Sequence, residues 1–148
     1  MLELGIEIDS SIFPTSRGHG GYQGFPYSTP CRLNIKGSTI KELPINTYKL
    51  AGREIVFSGG GYFRLLPYQL QKRLYVKSDY LMTYLHPRDF DPDQPVLENL
   101  SATRKFKSYV GLKNSKQKFQ KLLNDFEFID IQTADEMIEW DKVPEVKL

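Results

Sequence analysis

Residues 80–93 read YLMTYLHPRDFDPD. Tyr80 to Leu85 mixes Leu, Met and Tyr without clean alternation, the pattern of a strand covered on both faces. His86 follows at the C-terminal end of that strand, and Pro87 fixes the exit of the chain. Upstream, Leu66, Leu70 and Leu74 recur every fourth residue with Tyr75 beside them, which predicts an amphipathic helix with Pro67 in its first turn. Downstream, Ser101 opens a short helix carrying Phe106, Tyr109 and Val110 on one face, with Gly111 as its stop. A further helix from about Ser115 turns Phe119, Leu122, Leu123 and Phe126 to one face and leaves Lys116, Lys118 and Lys121 to solvent. The tail predicts a strand from Glu127 to Ile131 and a capping box, Thr133 to Glu136, opening a last helix through Trp140.

Before this region, Leu4 to Ile8 is apolar-rich and ends in Asp9-Ser10-Ser11, a short strand running into a loop. Pro14, Gly18, Gly20, Gly21, Gly24, Pro26 and Pro30 make Phe13 to Pro30 an irregular surface loop, and long loops in compact domains tend to carry function. Two strand-like runs follow, IKELPINTYKL and REIVF, broken at Ala51-Gly52. Pro44 makes the first of them an edge or irregular strand. Strands alternating with helices in this order predict an α/β fold with a largely parallel sheet.

Size and composition set the outer limits. A chain of 148 residues, 40% hydrophobic and 13% aromatic, can bury one modest core, so a single domain over residues 1–148 is expected. Twenty basic against 18 acidic residues leave a net charge of +2, too mild to demand nucleic acid. The lysines of Arg104 to Lys121 alternate with core positions, as solvated helix faces do. One cysteine, Cys31, excludes an internal disulfide framework and a cysteine-rich zinc site. No apolar run is long enough to span a bilayer, and MLELGIEIDSS lacks the positive charge of a signal peptide, so a cytoplasmic protein is expected.

Several residues are candidates for chemistry. His86 is the sharpest, because α/β barrels place catalytic groups at the C-terminal ends of strands. Asp9 ends the first strand, where it either bonds its own loop backbone or stands beside an imidazole, raising its pKa and fixing its orientation. The glycines of SGGGYFRLLP (residues 58–67) are not a P-loop, since Tyr62-Phe63-Arg64 replaces the required Lys and Ser or Thr. They let backbone approach a neighbour closely, with Tyr62 and Arg64 as substrate-contacting candidates and Phe63 as core. Asp89, Asp91 and Asp93 alternate but lack the Gly and Glu of a calcium loop. His19 has no ligand-spaced companion, and no metal site is expected from these residues.

SGGGYFRLLP and YLHPxxFDP resemble the C-terminal half of polysaccharide deacetylases of the NodB-homology type, in the bacterial exopolysaccharide-associated subgroup with a DUF3473-like C-terminal region. The similarity runs from the Asp9 region to about Phe128. It implies a portion of a distorted (β/α) barrel that removes N-acetyl groups from amino-sugar polymers. By this resemblance His86 is the general acid that protonates the leaving amine, and Asp9 orients it. Zinc or another divalent metal serves the complete enzyme, bound by an Asp and two His residues in an N-terminal half that this chain lacks. The chain alone is therefore expected to be inactive, and a complementary N-terminal half or a second copy is the expected partner besides the polysaccharide. A non-catalytic carbohydrate-binding or accessory role in polysaccharide assembly is the alternative.

Overall fold

A computed structural model describes residues 4–15, 21–50 and 52–148. In chain order the elements are β1 (Ile8–Asp9), β2 (Cys31–Ile35), β3 (Ser38–Glu42), β4 (Tyr48–Leu50), β5 (Arg53–Ile55), α1 (Gly60–Leu65), α2 (Tyr68–Val76), a 3₁₀ turn (Pro87–Phe90), α3 (Ala102–Tyr109), α4 (Leu112–Asp125), α5 (Ile131–Met137) and β6 (Glu145–Lys147). They fall into two compact units. The first holds the chain through Ile55 with Tyr80–Met82 and Ile129–Leu148; the second holds Val56–Asp79 and Thr83–Phe128.

The first unit is organised by a hairpin that the sequence reading missed. Lys36 and Gly37, both at positive φ (52° and 87°), form the two-residue connection between β2 and β3, the geometry whose twist matches the flanking strands. So short a turn makes the pair antiparallel, with Leu33 opposite Ile40 and Cys31 opposite Glu42. Residues opposite one another share a face, so Cys31, Leu33, Ile40 and Glu42 all lie on the buried side. Phe25 completes that core, with Ile12, Tyr27, Ile35 and Val146 packed against it. Both outer strands run parallel to their neighbours, giving the order β1-β3-β2-β6. The sheet is therefore mixed rather than largely parallel. On its other face Lys41 pairs with Asp135 at 2.7 Å and lies 5.4 Å from the centre of the Trp140 ring.

A second hairpin, β4–β5, stands as its own two-stranded sheet, and no barrel is formed among the described residues. Pro44 ends the first predicted run, splitting it into β3 and β4. The strand expected over Glu127 to Ile131 is absent. Asp130 instead caps α5, its carboxylate accepting from Thr133 N at 2.7 Å, so the last helix starts before the predicted capping box.

The strand expected over Tyr80 to Leu85 is also not formed; only Tyr84 bridges, to Gly59. Its polar groups find other partners. Met82 N donates to the Asn46 side chain at 3.1 Å, and the Tyr80 hydroxyl donates to Pro44 O at 2.9 Å. A segment satisfied in this way needs no strand on both sides.

Helices make up most of the second unit, around Phe57, Phe63, Leu74, Tyr75, Leu112 and Leu122. Gln71, fully buried on α2, donates to Phe57 O at 3.0 Å. The predicted helix around Leu70 and Leu74 is α2, with Pro67 just before its first turn rather than inside it. Ser101 caps α3 as expected, but α4 begins at Leu112, directly after Gly111. Leu123 and Phe106 of the predicted inward faces are exposed. Lys118, expected in solvent, is half-buried and donates to Phe63 O, Arg64 O and Leu66 O at 2.8, 3.1 and 2.6 Å. Its ammonium caps the C-terminal carbonyls of α1, the groups no helix can satisfy by itself.

Gly111 joins α3 to α4 at φ 72°, and a Cβ placed there would lie 2.3 Å from Arg64 O. Gly111→Ala is expected to lower the free energy of urea unfolding by at least about 1–2 kcal/mol, the left-handed penalty alone, with the clash adding to it. An unchanged midpoint would show that the corner relaxes freely.

Candidate functional site

The His86 loop is assembled from three segments of the second unit. Phe57-Ser58-Gly59 leads into α1, and its backbone meets Tyr84: Gly60 N donates to Tyr84 O at 3.0 Å and Tyr84 N to Ser58 O at 3.4 Å. The glycines keep this approach uncrowded. A Cβ on Gly59 would meet Tyr84 O at 3.4 Å, and one on Gly60 would meet Asp89 Oδ2 at 3.3 Å. Gly61 faces open space and has no such reason to be glycine.

From Tyr84 the chain passes through His86 into the 3₁₀ turn, with Pro87 at its first position. The turn closes on itself, His86 N donating to Asp89 Oδ2 at 2.9 Å and Asp89 N to His86 O at 2.8 Å. The His86 imidazole is exposed and meets the Tyr84 ring edge-on, with centroids 4.7 Å apart. Behind the turn, Phe90 packs against Phe119 at 5.2 Å. Asp91 and Asp93 shape the exit, Asp93 N donating to Asp91 Oδ1 at 3.0 Å, while Gln94 donates to Arg88 O and Asp91 O.

Asp89 is anchored from below by Arg64. Arg64 Nε lies 3.0 Å from Asp89 Oδ1, and the two side chains are only 6% and 5% exposed. The guanidinium also donates to Ser108 O at 2.8 Å, Val110 O at 3.1 Å and Lys107 O at 3.1 Å. These are carbonyls at the C-terminal end of α3, where helix geometry leaves acceptors unfilled and partial negative charge accumulates. Burial works against the charge on Arg64, and Asp89 offsets it. A continuous chain of contacts thus runs from the end of α3 through Arg64 and Asp89 to the backbone of His86.

The predicted site residues divide by unit. His86, Tyr62 and Arg64 belong to the second, and Asp9 belongs to the first. Tyr62 is exposed on α1 and can contact a ligand. Arg64, by contrast, is occupied by protein acceptors. Asp9 binds its own loop, accepting from Ser10 N at 3.0 Å and Ser11 Oγ at 2.7 Å. His19 lies outside the described residues.

Two acidic residues that matter here escaped the sequence reading. Asp89 was weighed only as part of an aspartate run. Glu42 was passed over, although it holds an inward slot of β3 two residues after Ile40, and a charge in such a slot is itself a signal. It is the register partner of Asp9 across β1–β3, and its Oε1 accepts from Ile12 N at 3.1 Å. Burial first, and the nearby Asp9 as well, push its pKa up to about 7 against the lowering pull of the Ile12 amide.

The family model described as "Domain of unknown function (DUF3473)" matches residues 10–136. The chain belongs to the DUF3473 family. That domain is associated with polysaccharide deacetylase-related proteins, and its match spans Tyr62, Arg64, His86 and Asp89 while starting one residue after Asp9. No curated protein and no solved structure matches the chain significantly. Among the described residues of this DUF3473 chain, no three His, Cys, Asp or Glu side chains are grouped to hold a metal ion, and no helix is long and apolar enough to cross a membrane.

Removing Asp89 would leave the Arg64 charge buried and unpaired. Asp89→Ala is expected to destabilise the chain by about 3–5 kcal/mol in denaturant unfolding. Arg64→Lys should fail to restore stability, because an ammonium cannot reproduce the planar fork that serves Asp89 and the α3 carbonyls together. Near-wild-type stability of either variant would show that the pair is dispensable.

Proposed function

We propose that this DUF3473 chain is the acid-supplying portion of a polysaccharide deacetylase-related enzyme, part of a distorted (β/α) barrel of the NodB type, acting on N-acetylated amino-sugar polymers. The observation that carries the proposal is the presentation of His86: an exposed imidazole on a loop whose backbone is pinned by a buried ion pair. General acid catalysis requires a titratable group held where a proton must be delivered.

In this role the His86 imidazolium donates its proton to the departing amine nitrogen as the carbon–nitrogen bond of the acetamide breaks, which keeps the amine from leaving as an anion. Tyr62 offers an aromatic face for a sugar ring. Asp9 is, by family resemblance, the carboxylate that orients and charges the histidine. Arg64 acts indirectly, by holding Asp89 and through it the loop. The described residues do not fit the metal of such enzymes, since no three-ligand group is present among them. A complementary N-terminal portion supplying that metal, or a second copy, is the partner we propose.

The alternative is a non-catalytic carbohydrate-binding or accessory protein. It is favoured by the exposed rings of Tyr62 and Tyr84 in the same unit, which suit sugar stacking without any reaction.

Acetate release from N-acetylated amino-sugar oligomers, with added zinc, separates the two. The chain alone is expected to release none, and addition of a metal-binding deacetylase portion is expected to give activity that His86→Ala lowers by about a hundred-fold or more. Saturable oligomer binding that survives His86→Ala, with no acetate released in any mixture, would favour the binding protein.

A further inference from the structure

Glu42 is a carboxyl in a place built for an apolar side chain. It faces inward from β3, opposite Cys31 on β2 and in register with Asp9 on β1, and its relative exposure is 0%. Oε1 accepts the Ile12 amide. Oε2 is buried, with no N–H or O–H donor among the described residues. Asp9 is its register neighbour across β1–β3, and that nearby carboxylate weighs against a charge on Glu42.

Two ionised carboxylates cannot share such a place cheaply, because burial removes the water that would solvate and screen them. A single proton changes this. Protonated Oε2 becomes a donor, Asp9 becomes its acceptor, and the unfilled atom gains a charge-assisted hydrogen bond.

We propose that Glu42 is a positioning residue that carries a proton shared with Asp9 and so acts, beside Ser10 N and Ser11 Oγ, as a third donor to the Asp9 carboxylate. Any role in turnover rests on the function proposed above, which gives Asp9 its task; the shared proton does not. The proton belongs on Glu42 because Asp9 already has two donors for its charge, whereas Glu42 has one and no exposure.

The groups that bear on Glu42 reinforce this assignment. Asp9 faces it from β1, Cys31 from β2 and Tyr80 from the segment after α2, and all three are acids. Burial raises Cys31 to about 11 and raises the Tyr80 phenol as well, so both stay neutral where Glu42 titrates. Glu42 itself is pushed up to about 7, above the ordinary carboxylate range. A folded value raised above the unfolded one gives stability that is complete below the unfolded value and is lost as the pH rises through about 7.

Thermal unfolding and isotope-edited infrared spectroscopy of the full chain test the proposal. The wild-type midpoint is expected to fall between about pH 5 and about pH 8, whereas Glu42→Gln, which keeps shape and a donor but cannot ionise, should hold level over that window. The infrared spectrum of the wild type at neutral pH should show the carbonyl stretch of a protonated carboxylic acid, absent in Glu42→Gln. Asp9→Asn should move the wild-type transition to lower pH by removing the neighbouring charge. Parallel pH curves for wild type and Glu42→Gln, or no carboxylic-acid band in the wild type, would overturn the proposal. If Glu42→Gln fails to fold, the wild-type spectrum still decides. Neither readout requires deacetylation, so failure here is distinct from failure of the proposed function.

Discussion

The buried pairing of Arg64 with Asp89 is the constraint on which the second unit depends. Taking both charges out of water is costly, and their attraction offsets that cost only if the remaining donors and acceptors are also filled. Here most of them are filled by structure that needs filling itself. Arg64 supplies donors to the C-terminal carbonyls of α3, and Asp89 accepts the backbone amide of His86. One ion pair therefore ends a helix, closes a turn and holds the backbone of His86.

The glycines belong to the same constraint. Gly60 admits the Asp89 carboxylate to a distance that a side chain would slightly crowd. Gly111 lets α4 begin against the Arg64 carbonyl. Lys118 then closes the end of α1 by donating to three carbonyls, Arg64 O among them. Rigid support of this kind is what the proton-donating role proposed for His86 requires, since proton transfer depends on position before it depends on acidity. His86 is thus an exposed group on a braced mount.

The first unit places polar chemistry in its core differently. Its hairpin sets Glu42 among apolar neighbours, where a free carboxylate would be costly. Protonation is the cheapest relief available among the groups that face it, all of them acids. Asp9 at the end of β1 then gains a donor from the core beside those of its own loop. A carboxyl retained in such a slot links the protonation of the interior to the state of Asp9.

Some of this was legible from residue types alone. Spacing of Leu70 and Leu74 announced α2, Ser101 and Gly111 marked the ends of α3, and Pro44 broke the strand it interrupts, because caps, periodicity and proline act within a few residues. The motif around His86 and Pro87 pointed to the family whose model matches residues 10–136. The strand expected at Tyr80–Leu85 failed because the distant side chain of Asn46 took over a backbone donor, and the one at Glu127–Ile131 failed because Asp130, inside the run, caps α5 instead. Lys118 looked solvent-facing because its helical position was visible and its three acceptors were not. Arg64 and Asp89, and likewise Asp9 and Glu42, are separated by 25 and 33 residues, and nothing local reveals that they meet. The sequence by itself determined where α2 lies and where α3 begins and ends. Only the tertiary structure decided which charges are buried and paired, because the cost of burying a charge is set by neighbours that the fold brings in from elsewhere in the chain.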